Sequence, residues 1–327
     1  MYRDNAVLET ESVFNAVLNQ GALGDVITSL PAIIVGRREH PGLVFKVWAP
    51  SWQEELVRHL LAPYGEFEVL HFEDFPMKQA QRAELDMGIV ALNQIPFNTH
   101  TRNRVHMVDF AFSCLLDSRP ETMLERSYPT AAPLGRQKIF GKYIVFPVGA
   151  TSDNKLFRAS VIAPIMAWAN ANNYSPVIVG TKTSYVKAEG ANGPEPIVLR
   201  DEVSKLDRHS YVDWREKTTL LELRDLCGHA EAVVGVDGGV LHVAGTTDTN
   251  IIYGLTTTLP KHRFIARNGD PSYKVRYVGP RNLECTGCQS NWRGSRQDFR
   301  FCAYNDNLCT ERLHADDFIE GLKQLGL

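Results

Sequence analysis

The sequence predicts an α/β protein made of two Rossmann-like βαβ domains that face a cleft. Three observations predict it. Short apolar runs alternate with helix-period segments along the 327 residues, the pattern of parallel strands covered on both faces. The alternation breaks once, at YPTAAPLGRQK (residues 128–138), where proline and small residues replace periodicity and a linker is expected. Several apolar runs end in turns rich in glycine and acid or hydroxyl groups, the place where ligands of such sheets bind.

The elements follow in order. Residues 13–18 read as a strand that leads into GALGD (residues 21–25). Val26, Leu30, Ile33 and Ile34 then share a helical face, and Pro31 predicts a kink or a restart within that helix. Residues 44–48, 67–72 and 86–92 read as strands, and 54–61 and 104–116 as helices. These make a first domain over residues 1–136. After the linker, residues 143–148, 177–180, 232–236 and 251–253 read as strands. Residues 158–171 and 218–228 read as helices, the latter opened by a capping box of Thr219 and Glu222. This second domain covers residues 137–313, and residues 315–325 read as an amphipathic helix.

Composition narrows the class. At 44% hydrophobic and 22% charged residues the chain is ordinary globular protein. No window approaches ~18 apolar residues, the length of a membrane span. The start, MYRDNAVLETES, has neither the positive nor the apolar region of a signal peptide. A cytoplasmic protein is therefore expected, compatible with a peripheral place at the inner membrane surface. Residues 1–136 hold 12 Lys and Arg against 17 Asp and Glu, and the remainder 23 against 21. Neither half has the basic excess of a surface that binds nucleic acid through its phosphates.

The chemistry concentrates at three strand ends. In VGVDGGVLHVAGT (residues 234–246) a buried strand stops at Asp237. Gly238 and Gly239 lack Cβ, which admits positive φ and close approach of a ligand. The helix beginning near Gly239 would direct backbone N–H groups and its positive end at a phosphate. His242, one turn in, reads either as a donor to that anion or as a packed histidine. Gly149, Ala150, Thr151 and Ser152 with Lys155 offer backbone donors, two hydroxyls and a cation. Together the two turns read as a diphosphate cradle, while either one alone also fits a tight connection. Asp25 lies at the mouth of the first domain's helix, whose N-terminus favours an ionised carboxylate. It reads as a general base facing the cleft or as a helix cap. The first turn does not fit the G-x-G-x-x-G of a dinucleotide-binding oxidoreductase.

GALGDVITSLPAI (residues 21–33) resembles the N-terminal signature of the heptosyltransferase-like glycosyltransferases, glycosyltransferase family 9. Residues 213–258, DWREKTTLLELRDLCGHAEAVVGVDGGVLHVAGTTDTNIIYGLTTT, are similar to that family's donor-site block. The resemblance implies the two-domain GT-B fold, with the acceptor on the first domain and a nucleoside-diphosphate-sugar on the second. It implies inverting sugar transfer without an essential metal or other cofactor, with Asp25 as general base. Thr151, Ser152 and Lys155 match the family's phosphate strip, and Asp237, Gly238, Gly239 and His242 its second diphosphate and sugar contact. In such folds a C-terminal helix often returns to the first domain, so residues 314–327 are expected to pack there. The loop 180–210 leaves the nucleotide base open. The implied acceptor is a lipopolysaccharide-core-type saccharide or glycolipid. A viral enzyme acting on a hydroxylated DNA base is the runner-up, and a non-catalytic GT-B sugar-nucleotide-binding protein is the alternative of another class. Arg102 and Arg104, in the most basic run of the first domain, read as an acceptor contact or as a solvated helix start.

Four of the six cysteines cluster in a Cys-rich segment, residues 285–309, spaced Cys285-x2-Cys288-x13-Cys302-x6-Cys309. The spacing is compatible with a structural zinc site, with packed thiols, and with disulfides.

Overall fold

The computed structural model describes residues 13–18, 22–75, 89–91, 106–116, 118–135, 139, 141–150, 153–182, 185–187, 196–198, 201–288 and 308–327. Two parallel sheets organise them. In the first, β1 (Val13–Val17) is flanked by β2 (Val44–Ala49) and β4 (Ile89–Ala91), and β2 carries β3 (Glu68–His71) on its outer edge. Helices α1 (Leu23–Glu39), α2 (Glu54–Leu61) and α3 (Met107–Leu116) belong to this half. Ala16, Val17, Phe45, Val47 and Val69 are buried, so these strands have the apolar composition that a covered parallel sheet demands.

The second sheet has six parallel strands. Its centre is β5 (Tyr143–Val148) beside β10 (Ala232–Val236), all five residues of β10 being buried. β6 (Ser175–Gly180) and β9 (Val212–Asp213) extend one side, and β11 (Asn250–Gly254) and β12 (Val275–Val278) the other. A small antiparallel pair, β7 (Tyr185–Lys187) and β8 (Pro196–Val198), interrupts the long loop after β6. Helices α4 (Ala159–Ala171), α5 (Leu220–Gly228), α6 (Gly239–Gly245) and the short α7 (Pro260–Arg263) connect the strands. The capping box of Thr219 and Glu222 at the start of α5 is formed as expected.

Three expectations are corrected. Of the kink or restart expected at Pro31, the restart does not occur: α1 runs unbroken for 17 residues. The residue that suffers from the missing proline N–H is buried Ile27, one turn earlier, and packing holds the turn closed. The C-terminal helix, here α9 (Ala315–Gln324) after the short α8 (Leu308–Glu311), packs on α4, β11 and β12 of the second half rather than returning to the first. Phe318 and Leu322 sit in one apolar cluster with Ile144, Phe157, Ile162 and Ile252, so its buried face is already covered. Finally, neither Gly238 nor Gly239 adopts positive φ.

The halves share a core. One apolar cluster runs from Ile27, Leu30, Ile33 and Phe112 of the first half to Leu241, Val243, Ala244 and Ile265 of the second. The chain crosses between the sheets through residues 128–135, which two neighbouring residues of α5 hold down. Arg224, fully buried, donates to Ala131 O, to Ala132 O (3.1 Å) and to Thr246 Oγ1 and O (3.1 and 3.0 Å). Asp225 accepts from Leu134 N (2.8 Å) and Gly135 N (2.5 Å).

Removing Arg224 takes a charged donor from the carbonyls of Ala131, Ala132 and Thr246 and from the buried Thr246 hydroxyl, whereas a surface arginine costs little. Arg224→Met should lower the unfolding free energy by about 3 kcal/mol, the order expected when charge-assisted buried bonds are lost. Urea unfolding at constant m-value checks this.

Candidate functional site

Both sheets turn over beside their first strand. In the first sheet β1 lies between β2 and β4, and in the second β5 lies between β6 and β10. Helices leave in opposite directions at such points and open a crevice beyond the carboxyl ends of the strands. β1 delivers the start of α1 to this crevice. β5 delivers residues 149–155, with Gly149 at φ +91° making the turn, and β10 delivers Asp237 to His242.

The two helix starts meet directly. A Cβ built on Gly24 would stand 2.7 Å from His242 Cδ2, and one on Gly239 3.1 Å from Leu23 Cβ. Gly239 is thus required by helix packing rather than by a ligand. Gly238 has an ordinary extended backbone and open space at its Cβ position, touching only Val236 O at 3.5 Å. Ala22, not Asp25, is the N-cap of α1. Asp25 occupies the first turn, half-buried, and its backbone carbonyl accepts from Thr28 Oγ1 (2.9 Å) and Ser29 Oγ (2.8 Å).

Asp237 is the focus of the second half. Its carboxylate is 3% exposed. Lys155 Nζ lies 2.9 Å from Oδ2, Thr258 Oγ1 donates to the same oxygen at 3.3 Å, and Tyr253 donates its O–H to Oδ1. Burial alone pushes such a carboxyl up. Lys155, Arg263 and His242 and the Tyr253 bond together outweigh it and hold Asp237 well below the carboxylate range. The acid is therefore ionised at neutral pH, and the cation read as a phosphate ligand is also its counter-ion.

His242 is buried in α6. Desolvation drives its pKa down to about 4. Asp237 and Asp25 oppose that shift, and Arg263 and Lys155 add to it. Its Nδ1 is 2.7 Å from the Tyr128 hydroxyl, and its Nε2 lies 3.9 Å from Asp237 Oδ1, too long for a hydrogen bond. Nearby, the Thr256 and Thr257 hydroxyls are buried with no partner among the described residues. They follow β11 immediately, on the loop that carries Thr258.

Asp25, Lys155, Asp237, Gly238, Gly239 and His242 thus converge on one crevice. Thr151, Ser152, Arg102 and Arg104 lie outside the described residues. Cys285 and Cys288 are half-buried, and Cys309 is buried with its Sγ–H directed at Asn154 O (3.8 Å). Cys302 lies outside the described residues, and among those residues no three His, Cys, Asp or Glu side chains gather as metal ligands. No described helix is long and apolar enough to cross a membrane.

Comparison with known proteins bears on the fold and on the family the chain resembles. Residues 120–263 match the family model of glycosyltransferase family 9 (heptosyltransferase). That segment, which spans the linker and most of the second half up to α7, resembles the heptosyltransferase-like glycosyltransferases. No curated protein matches it. Among solved structures it is similar to the iron-containing dodecameric glycosyltransferase TibC of enterotoxigenic E. coli, with a TM-score of 0.71 at 15% identity over 96% of this chain and 78% of that one. E. coli ADP-heptose lps heptosyltransferase II gives 0.57 at 12% identity, over 96% and 100% of the two chains. E. coli heptosyltransferase WaaC with ADP gives 0.55 at 13%, over 96% and 99%. These likenesses place the two sheets in the GT-B fold.

Four side chains of the site escape sequence reading. Tyr128 comes from the linker, Tyr253 from the body of β11, Thr258 from the loop after it and Arg263 from α7. The single signal available was the basic run Lys261-His262-Arg263, which follows the threonines at a strand end.

Gly24→Ala should drive a methyl group into His242 and separate α1 from α6. Overpacking of this kind costs about 1–3 kcal/mol, read as a fall in Tm, and turnover should fall with it. A second expectation concerns acid. His242 and the buried His106, whose pKa is lowered to about 3 chiefly by desolvation, stay neutral in the folded chain. Unfolding returns both to ordinary values near 6.5. Below that pH the unfolded state binds protons that the folded state refuses, so stability should decline from pH 6.5 towards 4, with His106 extending the decline to about 3. A Tm that stays level across pH 6.5 to 4 contradicts the burial of these imidazoles.

Proposed function

We propose that the protein transfers a sugar from a nucleoside-diphosphate-sugar to an acceptor hydroxyl with inversion, using Asp25 as general base. The observation that carries the reading is the direct contact between the start of α1, bearing Asp25, and α6, bearing His242 beside the Lys155–Asp237 pair. Base and diphosphate site then face one crevice from opposite halves.

The donor is proposed to be an ADP-sugar of the ADP-heptose kind. Two similar E. coli structures support this: WaaC contains ADP, and TibC was solved with ADP-D-β-D-heptose. The acceptor is proposed to be a saccharide of the lipopolysaccharide-core type, as in the lipopolysaccharide heptosyltransferase it resembles.

The chemistry balances without a further reactant. Asp25 takes the acceptor's hydroxyl proton as the oxygen forms its bond to the anomeric carbon. The bond from that carbon to the diphosphate breaks, and its electron pair leaves on the phosphate oxygen. Lys155 and the Arg263 charge stabilise the developing negative charge, together with Thr151 and Ser152 and the backbone at Gly238 and Gly239. This set serves where other transferases use a metal ion, so none is proposed for catalysis. Asp237, kept ionised, faces the positive charge that builds on the sugar carbon.

Asp25→Asn should retain ADP binding and lose about two to four orders of magnitude in turnover, the range for a lost general base. Lys155→Ala should weaken ADP binding more than acceptor binding. The deciding test is a thermal-shift panel of ADP, GDP, UDP and CMP in EDTA, since a ligand of the native state raises Tm by mass action. A selective rise with ADP is expected; a rise with another nucleotide alone overturns the donor, and a need for added metal overturns the metal-free site.

A further inference from the structure

We infer that Tyr128, from the linker between the halves, is a positioning residue that fixes His242 as a neutral imidazole with its proton on Nε2, directed into the crevice. The inference rests on the functional reading only in placing a ligand oxygen before that N–H.

The hydroxyl of Tyr128 is 2.7 Å from His242 Nδ1, and the tyrosine is 2% exposed. Among the described residues this is the hydroxyl's one hydrogen bond. A buried O–H that failed to donate there would be left unsatisfied, at a cost of ~1–3 kcal/mol. Tyr128 therefore donates and Nδ1 accepts. A neutral imidazole whose Nδ1 accepts carries its proton on Nε2. Electrostatics at the far side agree. Nε2 is 3.9 Å from the ionised Asp237, which attracts an N–H and repels a lone pair. Burial holds the imidazole neutral and keeps the phenol protonated.

Packing makes the arrangement stiff. The two rings stack with their planes 29° apart and their centroids 5.9 Å apart. Tyr128 lies so close to Gly245, three residues beyond His242 on α6, that a Cβ there would come within 3.0 Å of its ring. Its backbone N–H donates to Ala266 O at 2.9 Å. On the other side, Nε2 is 3.1 Å from the Cβ position of Gly24, so the N–H emerges where the two halves meet. The direction of one proton is thus set by a residue of the segment that joins the domains.

Nitrogen-15 spectra of the full-length enzyme labelled at histidine test this at pH 7.5. The wild type should show His242 as the Nε2–H tautomer alone. Tyr128→Phe should shift it to a mixture or to Nδ1–H, and should lower kcat by up to roughly a hundredfold, the order that misplacing a group of the reacting site costs, with KM for ADP-heptose changed far less. A wild-type spectrum dominated by Nδ1–H overturns the inference without any variant. So does a folded Tyr128→Phe protein with the wild-type tautomer. A merely structural tyrosine would lower Tm and leave the tautomer intact. Titration with ADP separates the two readings. If ADP raises no Tm while the Nε2–H tautomer is pure, the nucleotide assignment fails and the role of Tyr128 stands.

Discussion

An ionised carboxylate buried at the end of a central strand dictates its surroundings. Such a charge is tolerated only when paired and hydrogen-bonded, and Asp237 recruits partners from three directions. Lys155 reaches it from the turn after β5, Tyr253 from β11, and Thr258 from the loop beyond. Strand order permits this, because β10 lies between β5 and β11 and all three end on the same side. The pair leaves little net charge locally. Arg263 and Asp25, whose charges also reach this cluster, keep the crevice balanced rather than strongly positive. A diphosphate entering it would meet oriented donors more than a surplus of cations. Catalysis by preorganised dipoles has that character.

Much of the fold was legible, for a physical reason. Strands covered on both faces must be largely apolar, so β5 and β10 stand out as apolar runs and β1 as one broken only by Asn15, and the turns that follow them mark the crevice. Asp25, Lys155, Asp237 and His242 could be found because each sits a few residues past such a run. Tyr128 and Tyr253 could not. Their chemistry depends on partners 114 and 16 residues away, and nothing local distinguishes them from tyrosines of a linker and a core. The glycines show a different failure. Gly239 is required, but for contact with Leu23 in the other half, a reason invisible without the packing. The C-terminal helix likewise has a readable apolar face, yet periodicity says nothing about which sheet will cover it.

The linker binds these levels together. Its composition suggested a linker; Arg224 and Asp225 hold its carbonyls and N–H groups at residues 131–135, and its first residue, Tyr128, lies inside the site. His106 adds a further tie. Its Nδ1 accepts from Val108 N, and its Nε2 donates to Phe264 O at 3.1 Å. Polar contacts, whose geometry is directional, therefore align the halves alongside the apolar cluster they share.

The apolar cluster that runs from α1 and α3 into α6 also bears on how the molecule comes apart. Leu30, Phe112, Leu241 and Val243 belong to the same cluster, so neither half can melt while the other keeps its interior dry. Two lobes joined by a tethered hinge would ordinarily give separate calorimetric transitions. Here the shared interior couples them into one cooperative unit. Damage to the surface of either lobe is then felt as a loss of stability in both.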